Sequence, residues 1–231
     1  MKITGLQKTS LIEYPGKIVS VLFTQGCNFK CPYCHNSELI ALESCDREYF
    51  PQDYIFGFLK KRKGLIDGIS ITGGEPTLQA DLYDFLVKIK KIGLDIKLDT
   101  NGSNPELIKT LFKDRLIEYI AMDIKGPLDR YEEISGSKVN TDNILHSISL
   151  IKEAEIDYEF RTTFVPGIHN KNDLLDIVHL IKGSKQYFIQ NFRPNNTFNP
   201  DLMGLNGFPP AVLEEFKDIA NNYIKKVGIR N

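Results

Sequence analysis

The sequence predicts an α/β fold: one domain over residues 1–231, built as a partial (β/α)6 barrel. Three observations point there. Apolar runs alternate with stretches of helical period, and the runs are apolar on both faces, as in a parallel sheet covered by helices. Six strand–helix units fit within 231 residues, whereas a full eight-fold barrel takes about 250. The polar motifs fall at the carboxyl ends of the runs, the face on which parallel barrels assemble their sites.

Residues 18–24 (IVSVLFT) form the first predicted strand and lead straight into a group of cysteines; residues 53–61 form its helix. The strand at 66–72 runs into Gly-Gly-Glu-Pro, with a helix at 81–91. The strand at 94–100 ends in Asn101-Gly102, and Pro105 suits the first turn of the helix at 105–113. The strand at 117–124 ends in Lys125-Gly126 before a helix at 142–154. The strand at 158–165 ends in Pro166-Gly167 before a helix at 172–182. The strand at 187–192 ends in Arg193-Pro194, and a last helix covers 210–227. Right-handed crossovers set such neighbours parallel. The Asn-, Gly- and Pro-rich residues 195–210 read as a lid.

Twenty-nine basic residues stand against thirty acidic ones, a net charge of −1, which excludes a strong field for nucleic acid or a membrane surface. No run of about 18 apolar residues marks a membrane span. The opening MKITGLQKTSLIEYPGK has neither the apolar core nor the small-residue cleavage site of an export signal, so a cytoplasmic, thiol-reducing setting is expected.

Residues 26–36, GCNFKCPYCHN, admit several chemistries. Cys31 and Cys34 alone make a redox dithiol, and Cys31 to His35 spell a haem attachment site. Cys27, Cys31, Cys34 and His35 together are four zinc donors. The dithiol leaves Cys27 and Gly-Gly-Glu-Pro idle, covalent haem belongs outside the cytoplasm, and adjacent Cys34 and His35 converge poorly on one ion. Three thiolates suit a [4Fe–4S] cube with one iron left open, the position a reaction site keeps. Cys45 lies eleven residues beyond Cys34 and reads as a packing thiol.

Cys27, Cys31, Tyr33 and Cys34 match Cys-x-x-x-Cys-x-aromatic-Cys, and the chain resembles the radical S-adenosylmethionine (SAM) enzymes over essentially its whole length. The resemblance implies a barrel of radical SAM type. It also implies a [4Fe–4S] cluster on the catalytic ligands Cys27, Cys31 and Cys34, and SAM cleaved at the open iron to a 5′-deoxyadenosyl radical. Tyr33 and Asn36 become cofactor contacts, with a helix-start role still open for Asn36. Gly73 and Gly74, bare of side chains, would let backbone approach SAM, with Glu75 as polar support.

Asp99-Thr100-Asn101-Gly102 and Asp123-Ile124-Lys125 resemble the glycyl-radical-enzyme activases within that superfamily. This resemblance implies Asp99, Thr100, Asp123 and the Ala121 carbonyl as ligands of a monovalent cation, Asn101 beside them, and Lys125 at the SAM carboxylate. An Asp–Lys ion pair at the barrel rim is the competing reading. Arg161 opens RTTFVPG, similar to the activase strand ending in Val-Pro-Gly, and Arg193 falls where other activases place a histidine against SAM. Either arginine is equally readable as a rim salt bridge. His146, His169 and His179 read as solvated.

The stretch TSLIEYPGKIVSVLFTQGCNFKCPYCHN is similar to activators of anaerobic ribonucleoside-triphosphate reductase. The implied partners are a glycyl radical enzyme of the anaerobic ribonucleotide reductase type and a flavodoxin or ferredoxin electron donor. Two other readings stay open. One is radical SAM chemistry on a small molecule, as in 7-deazaguanine synthesis, whose cysteine motif has a longer first gap. The other is an electron-transfer iron–sulfur module, which needs four cysteines per cube.

Overall fold

The computed structural model describes residues 1–41, 48–194 and 196–230; Cys45 and Asn195 lie outside the described residues. A single eight-stranded sheet runs in chain order. Strands β1 (Ile3–Ser10) and β2 (Val19–Thr24) pair antiparallel as a hairpin. Parallel to β2 follow β3 (Gly68–Gly73), β4 (Asp95–Thr100), β5 (Tyr119–Asp123), β6 (Asp157–Phe164), β7 (Tyr187–Asn191) and β8 (Val227–Arg230). The helices are α1 (Gln52–Lys61), α2 (Leu82–Ile92), α3 (Pro105–Lys113), α4 (Tyr131–Ser135), α5 (Thr141–Glu153), α6 (Lys171–Leu180) and α7 (Pro210–Asn221).

The six predicted strands are β2 to β7, each followed by at least one helix, and the fold is α/β with the parallel sheet of a partial barrel. Two edge strands extend it. The predicted helix over 210–227 stops at Asn221, and its last predicted residue, Val227, instead opens β8 opposite Tyr187. Gly228 fits there because a Cβ would meet Phe188 Cε1 at 2.6 Å. Among the described residues no helix is long and apolar enough to cross a membrane.

The sheet curls, and two contacts show it. Val19 and Val21 of β2 pack with Tyr119 and Ala121 of β5 in a small buried cluster of their own, although β3 and β4 lie between them. Arg230 of β8 reaches Glu159 of β6 across β7 with two hydrogen bonds, of 2.6 and 2.8 Å. Yet among the described residues β1 and β8 end the sheet unpaired with each other, so the barrel stays open along one side.

The outer face carries the main core. Ile69, Ile71, Ile96, Leu98, Ile120, Phe160 and Ile189 from the strands pack with Phe85, Leu86, Ile89, Ile108, Leu111 and Ile177 from the helices. Burying each such side chain stabilises the fold by about 1.5–3 kcal/mol. Alternation along a strand sends the intervening residues to the concave face. There β4 places Lys97 and Asp99, β5 places Tyr119 and Asp123, and β6 places Glu159 and Arg161, all linked by polar contacts.

Candidate active site

Thr24 ends β2, and the cysteine loop begins two residues on. Backbone hydrogen bonds hold that loop from several sides. Gly26 N–H donates to the Leu39 carbonyl at 2.8 Å, Cys27 N–H to Ile40 at 3.0 Å, and Lys30 N–H to Ser135 at 3.0 Å. Asn199 N–H donates to the Pro32 carbonyl at 2.8 Å. Gly136 ends α4 with φ 64°, and a Cβ there would meet the Lys30 carbonyl oxygen at 2.4 Å. Only glycine lets the end of α4 press this closely on the cysteine loop.

Cys27, Cys31 and Cys34 line one cavity of about 260 Å³ at the carboxyl end of the strands. Burial, with the Glu75 charge second, pushes the Cys27 thiol up to about 12; burial pushes Cys31 up to about 11 and Cys34 upward as well. A redox dithiol works through a depressed pKa, the opposite of the direction burial gives here. Among the described residues, no group of three or more His, Cys, Asp or Glu side chains converges as the ligands of a single metal ion do. The Tyr33 hydroxyl is buried with no hydrogen-bond partner, close enough to Cys31 to bear on its acidity.

Gly73 and Gly74 line the same cavity, and the close packing of backbone around them also requires them bare. A Cβ on Gly73, with φ 117°, would meet Thr24 N at 2.4 Å, and one on Gly74 would meet the Gly26 carbonyl oxygen at 2.2 Å. The glycines let the exits of β2 and β3 lie against each other, with Gly74 N–H donating to Thr24 at 2.9 Å and Glu75 N–H to Gly26 at 2.7 Å.

Glu75 is 1% exposed and joins two turns. Its carboxylate accepts from Thr77 N–H at 3.1 Å and Thr77 Oγ1 at 2.5 Å, and from Thr100 Oγ1 and Asn101 N–H at 2.7 Å each. Burial still pushes its carboxyl upward against those bonds. The Asn101 side chain donates to Asn28 at 2.8 Å, tying the β4 turn to the cysteine loop.

Past these turns lies a string of charges. Arg161 donates through Nη1 to Asp99 at 3.1 Å and through Nε to Asp123 at 2.8 Å. Lys97 pairs with the other Asp99 oxygen, and Lys125 with the other Asp123 oxygen at 3.0 Å. Burial alone would raise both carboxyls, but Arg161 foremost, then the lysines, hold them below the usual carboxylate range. Burial opposes the Lys125 charge, and Asp123 overcomes it, so the ammonium persists.

Of the sequence-predicted residues, the three cysteines, Tyr33, Asn36, Gly73, Gly74, Glu75, Asp99, Thr100, Asn101, Asp123, Lys125 and Arg161 all line this cavity. Asn36 precedes a short turn, Ser37–Leu39, without a side-chain cap bond. Arg193 is exposed and not part of the lining; its backbone carbonyl accepts from His35 Nε2 at 2.5 Å. Ser37 Oγ donates to the Asn196 carbonyl at 3.1 Å, so the segment read as a lid is laced to the cysteine loop as a strap.

Two residues escaped the sequence reading. Lys97 is 2% exposed, and a lysine inside a strand apolar on both faces was its one signal. His169, expected to be solvated, is 3% exposed. Its Nδ1 accepts from Val165 N–H at 3.1 Å and its Nε2 donates to the Lys125 carbonyl at 2.9 Å, which defines a neutral ring. Its edge meets Tyr33 at 5.9 Å between centroids.

Burial depresses the pKa of His169, so its contribution to stability is fully present above the unfolded value of about 6.5 and is lost as pH falls below it. The expected slope is at most about 1.4 kcal/mol per pH unit. Thermal unfolding of the metal-free protein between pH 7.5 and 5.5 measures it. His169→Gln should flatten the slope; an unchanged slope would assign the acid sensitivity to other groups.

Comparisons with known proteins agree with this geometry. Residues 21–181 match the radical SAM superfamily. A protein of Methanocaldococcus jannaschii, provisionally named a glycyl-radical enzyme activating enzyme, is 35% identical over 99% of this chain and 95% of its own length. The GTP 3′,8-cyclase of Campylobacter lari is 31% identical over 94% of this chain and 68% of its own length. Among solved structures, Streptococcus suis SuiB bound to S-adenosylmethionine is similar in fold, with TM-score 0.68 and 16% identity over 90% of this chain. The chain spans about half of SuiB, 48% of that structure's length. The match over residues 21–181, together with 35% identity to the M. jannaschii protein over 99% of the chain, shows that the chain belongs to the radical SAM superfamily, whose enzymes work with a [4Fe–4S] cluster and SAM.

Proposed function

We propose that this chain places a glycyl radical on a partner enzyme, with an anaerobic ribonucleotide reductase as that partner and a flavodoxin or ferredoxin supplying the electron. The residues present fit the two cofactors. Cys27, Cys31 and Cys34 would hold the cluster: burial keeps them protonated when free, and bound iron is the positive centre that would turn them into thiolates. The buried Tyr33 hydroxyl, close beside Cys31, would add a donor at that site. When bound, the cluster and SAM supply one-electron cleavage of a sulfonium, giving a carbon radical that removes hydrogen from a substrate.

The chain's own residues do the rest. Lys125 offers a fixed ammonium for a carboxylate, with its charge secured by Asp123 and its backbone by His169. The rim of Gly73, Gly74 and Glu75 would flank SAM with backbone, and Asn36 would contribute an amide. Phe29 and Ile40 make an apolar part of the wall and help to keep water out.

The open side of the sheet supports the choice of a protein substrate. A partner's glycine loop would bring the reacting hydrogen from outside, through the open side of the sheet and past the exposed Phe198, Met203 and Leu205 of the strap. Identity to the C. lari cyclase supports the second reading, a small-molecule substrate.

Anaerobic reconstitution followed by electron paramagnetic resonance tests the proposal. Protein, SAM, reductant and the anaerobic reductase from the same genome are expected to give a glycyl-radical doublet that Cys31→Ala abolishes. Accumulation of 5′-deoxyadenosine without a doublet would favour the small-molecule reading.

A further inference from the structure

The resemblance to activases implies a monovalent cation held by Asp99, Thr100, Asp123 and the Ala121 carbonyl, and the side chains of that set do not fit one. All four carboxylate oxygens of the two aspartates are already taken by nitrogen. Lys97 Nζ holds Asp99 Oδ1, and Arg161 Nη1 holds Asp99 Oδ2 at 3.1 Å. Arg161 Nε holds Asp123 Oδ1 at 2.8 Å, and Lys125 Nζ holds Asp123 Oδ2 at 3.0 Å. Thr100 Oγ1 is turned away as well, donating to Glu75 at 2.7 Å and accepting from Gly102 N–H at 3.1 Å.

We infer that the Arg161 guanidinium is the built-in counterion between Asp99 and Asp123, and that this enzyme binds SAM without a dissociable alkali cation.

The fold holds Arg161 in that place. Asp123 is its register partner across the β5–β6 ladder, and Asp99 lies on β4, so one guanidinium on β6 spans three strands. It is 9% exposed, and Glu159 stands 4.0 Å from its Nη1. A planar, weakly hydrated guanidinium suits such a bridge, since its donors are set in one plane and need little desolvation. Charge balance points the same way. Lys97, Arg161 and Lys125 already meet the carboxylates of Asp99, Asp123 and Glu159, so an alkali ion would add an unbalanced positive charge. Arg161 is thus a positioning residue: it fixes Asp123, which fixes the ammonium of Lys125 at the cavity.

The test is equilibrium binding of SAM to the reconstituted protein in potassium, sodium or tetramethylammonium chloride at equal ionic strength. The organic cation is too large to enter the site. The wild type is expected to bind equally in all three, within about twofold. Binding at least tenfold weaker in tetramethylammonium than in potassium overturns the inference. Absence of binding in every salt overturns it together with the cofactor reading, so the two failures are distinguishable.

Arg161→Ala frees one oxygen on each aspartate and should create the dependence that the wild type lacks. The expected result is SAM binding at least tenfold weaker in tetramethylammonium, largely restored by sodium or potassium, with a parallel rise in unfolding temperature. A variant that responds to neither ion overturns the assignment of Arg161 as the counterion. Should Arg161→Ala fail to fold, the wild-type comparison decides alone.

Discussion

Alanine in place of Cys27, Cys31 or Cys34 is expected to remove bound iron and bring SAM cleavage to background, one cysteine at a time. The three thiols open onto the same cavity, and a cube held by three protein ligands has no spare. Changes in groups that merely orient metal ligands cost about 10–100-fold. Loss of a ligand itself should exceed that range and leave no measurable turnover. The fold should survive, because backbone bonds at Gly26, Cys27, Lys30 and Pro32 hold the loop, although Cys27→Ala also removes the Phe29 N–H bond to Sγ at 3.4 Å. Unfolding of the metal-free variants is therefore expected within about 1–2 kcal/mol of the wild type. Cys45→Ala should leave iron content and cleavage unchanged. Equal loss in all four variants would place Cys45 among the ligands.

That separation, between a loop held by backbone and a site made of side chains, also describes what could be read from sequence. Strands β2 to β7 were legible to within one or two residues because their apolar runs are buried on both faces. Strand β1 was not. Its sequence, ITGLQKTS, mixes polar and apolar residues because it lies at an edge and leaves several side chains exposed. Strand β8 is four residues long and was absorbed into the helical pattern of α7 before it.

The motifs of the site were legible as motifs, since Gly-Gly-Glu, Asp-Thr-Asn-Gly and Asp-Ile-Lys each end a strand. Their partners were not. Nothing local says that Arg161 would bridge Asp99 and Asp123, from 62 and 38 residues away along the chain. Nor does sequence show that Gly73 and Gly74 answer to the backbone of β2. Pairings of this kind follow from register and curl, which arise only when the sheet forms.

Glu75→Ala should be the most damaging single change outside the cysteines. The carboxylate gathers Thr77 and Thr100 hydroxyls and the backbone N–H groups of Thr77 and Asn101, at a position 1% exposed to solvent. Two hydroxyls can rotate to other acceptors, but the two N–H groups are fixed by their turns. Each buried donor left unsatisfied costs about 1–3 kcal/mol. With the loss of a buried anion that four donors were arranged to meet, about 3–5 kcal/mol of stability should go. That is a large part of the 5–15 kcal/mol typical of a folded domain. The damage should reach the site, because the Glu75 bonds join the β3 turn beside the cysteine loop to the β4 turn that carries Thr100 and Asn101. SAM binding is expected to weaken at least tenfold. Glu75→Gln keeps the volume and one acceptor but turns an amide donor toward donors, so it should fall between the two. Urea unfolding and SAM binding on the three proteins measure both effects. A loss under about 1 kcal/mol with unchanged SAM binding would mean that the Gly74–Thr24 and Glu75–Gly26 backbone bonds hold the turn without the carboxylate.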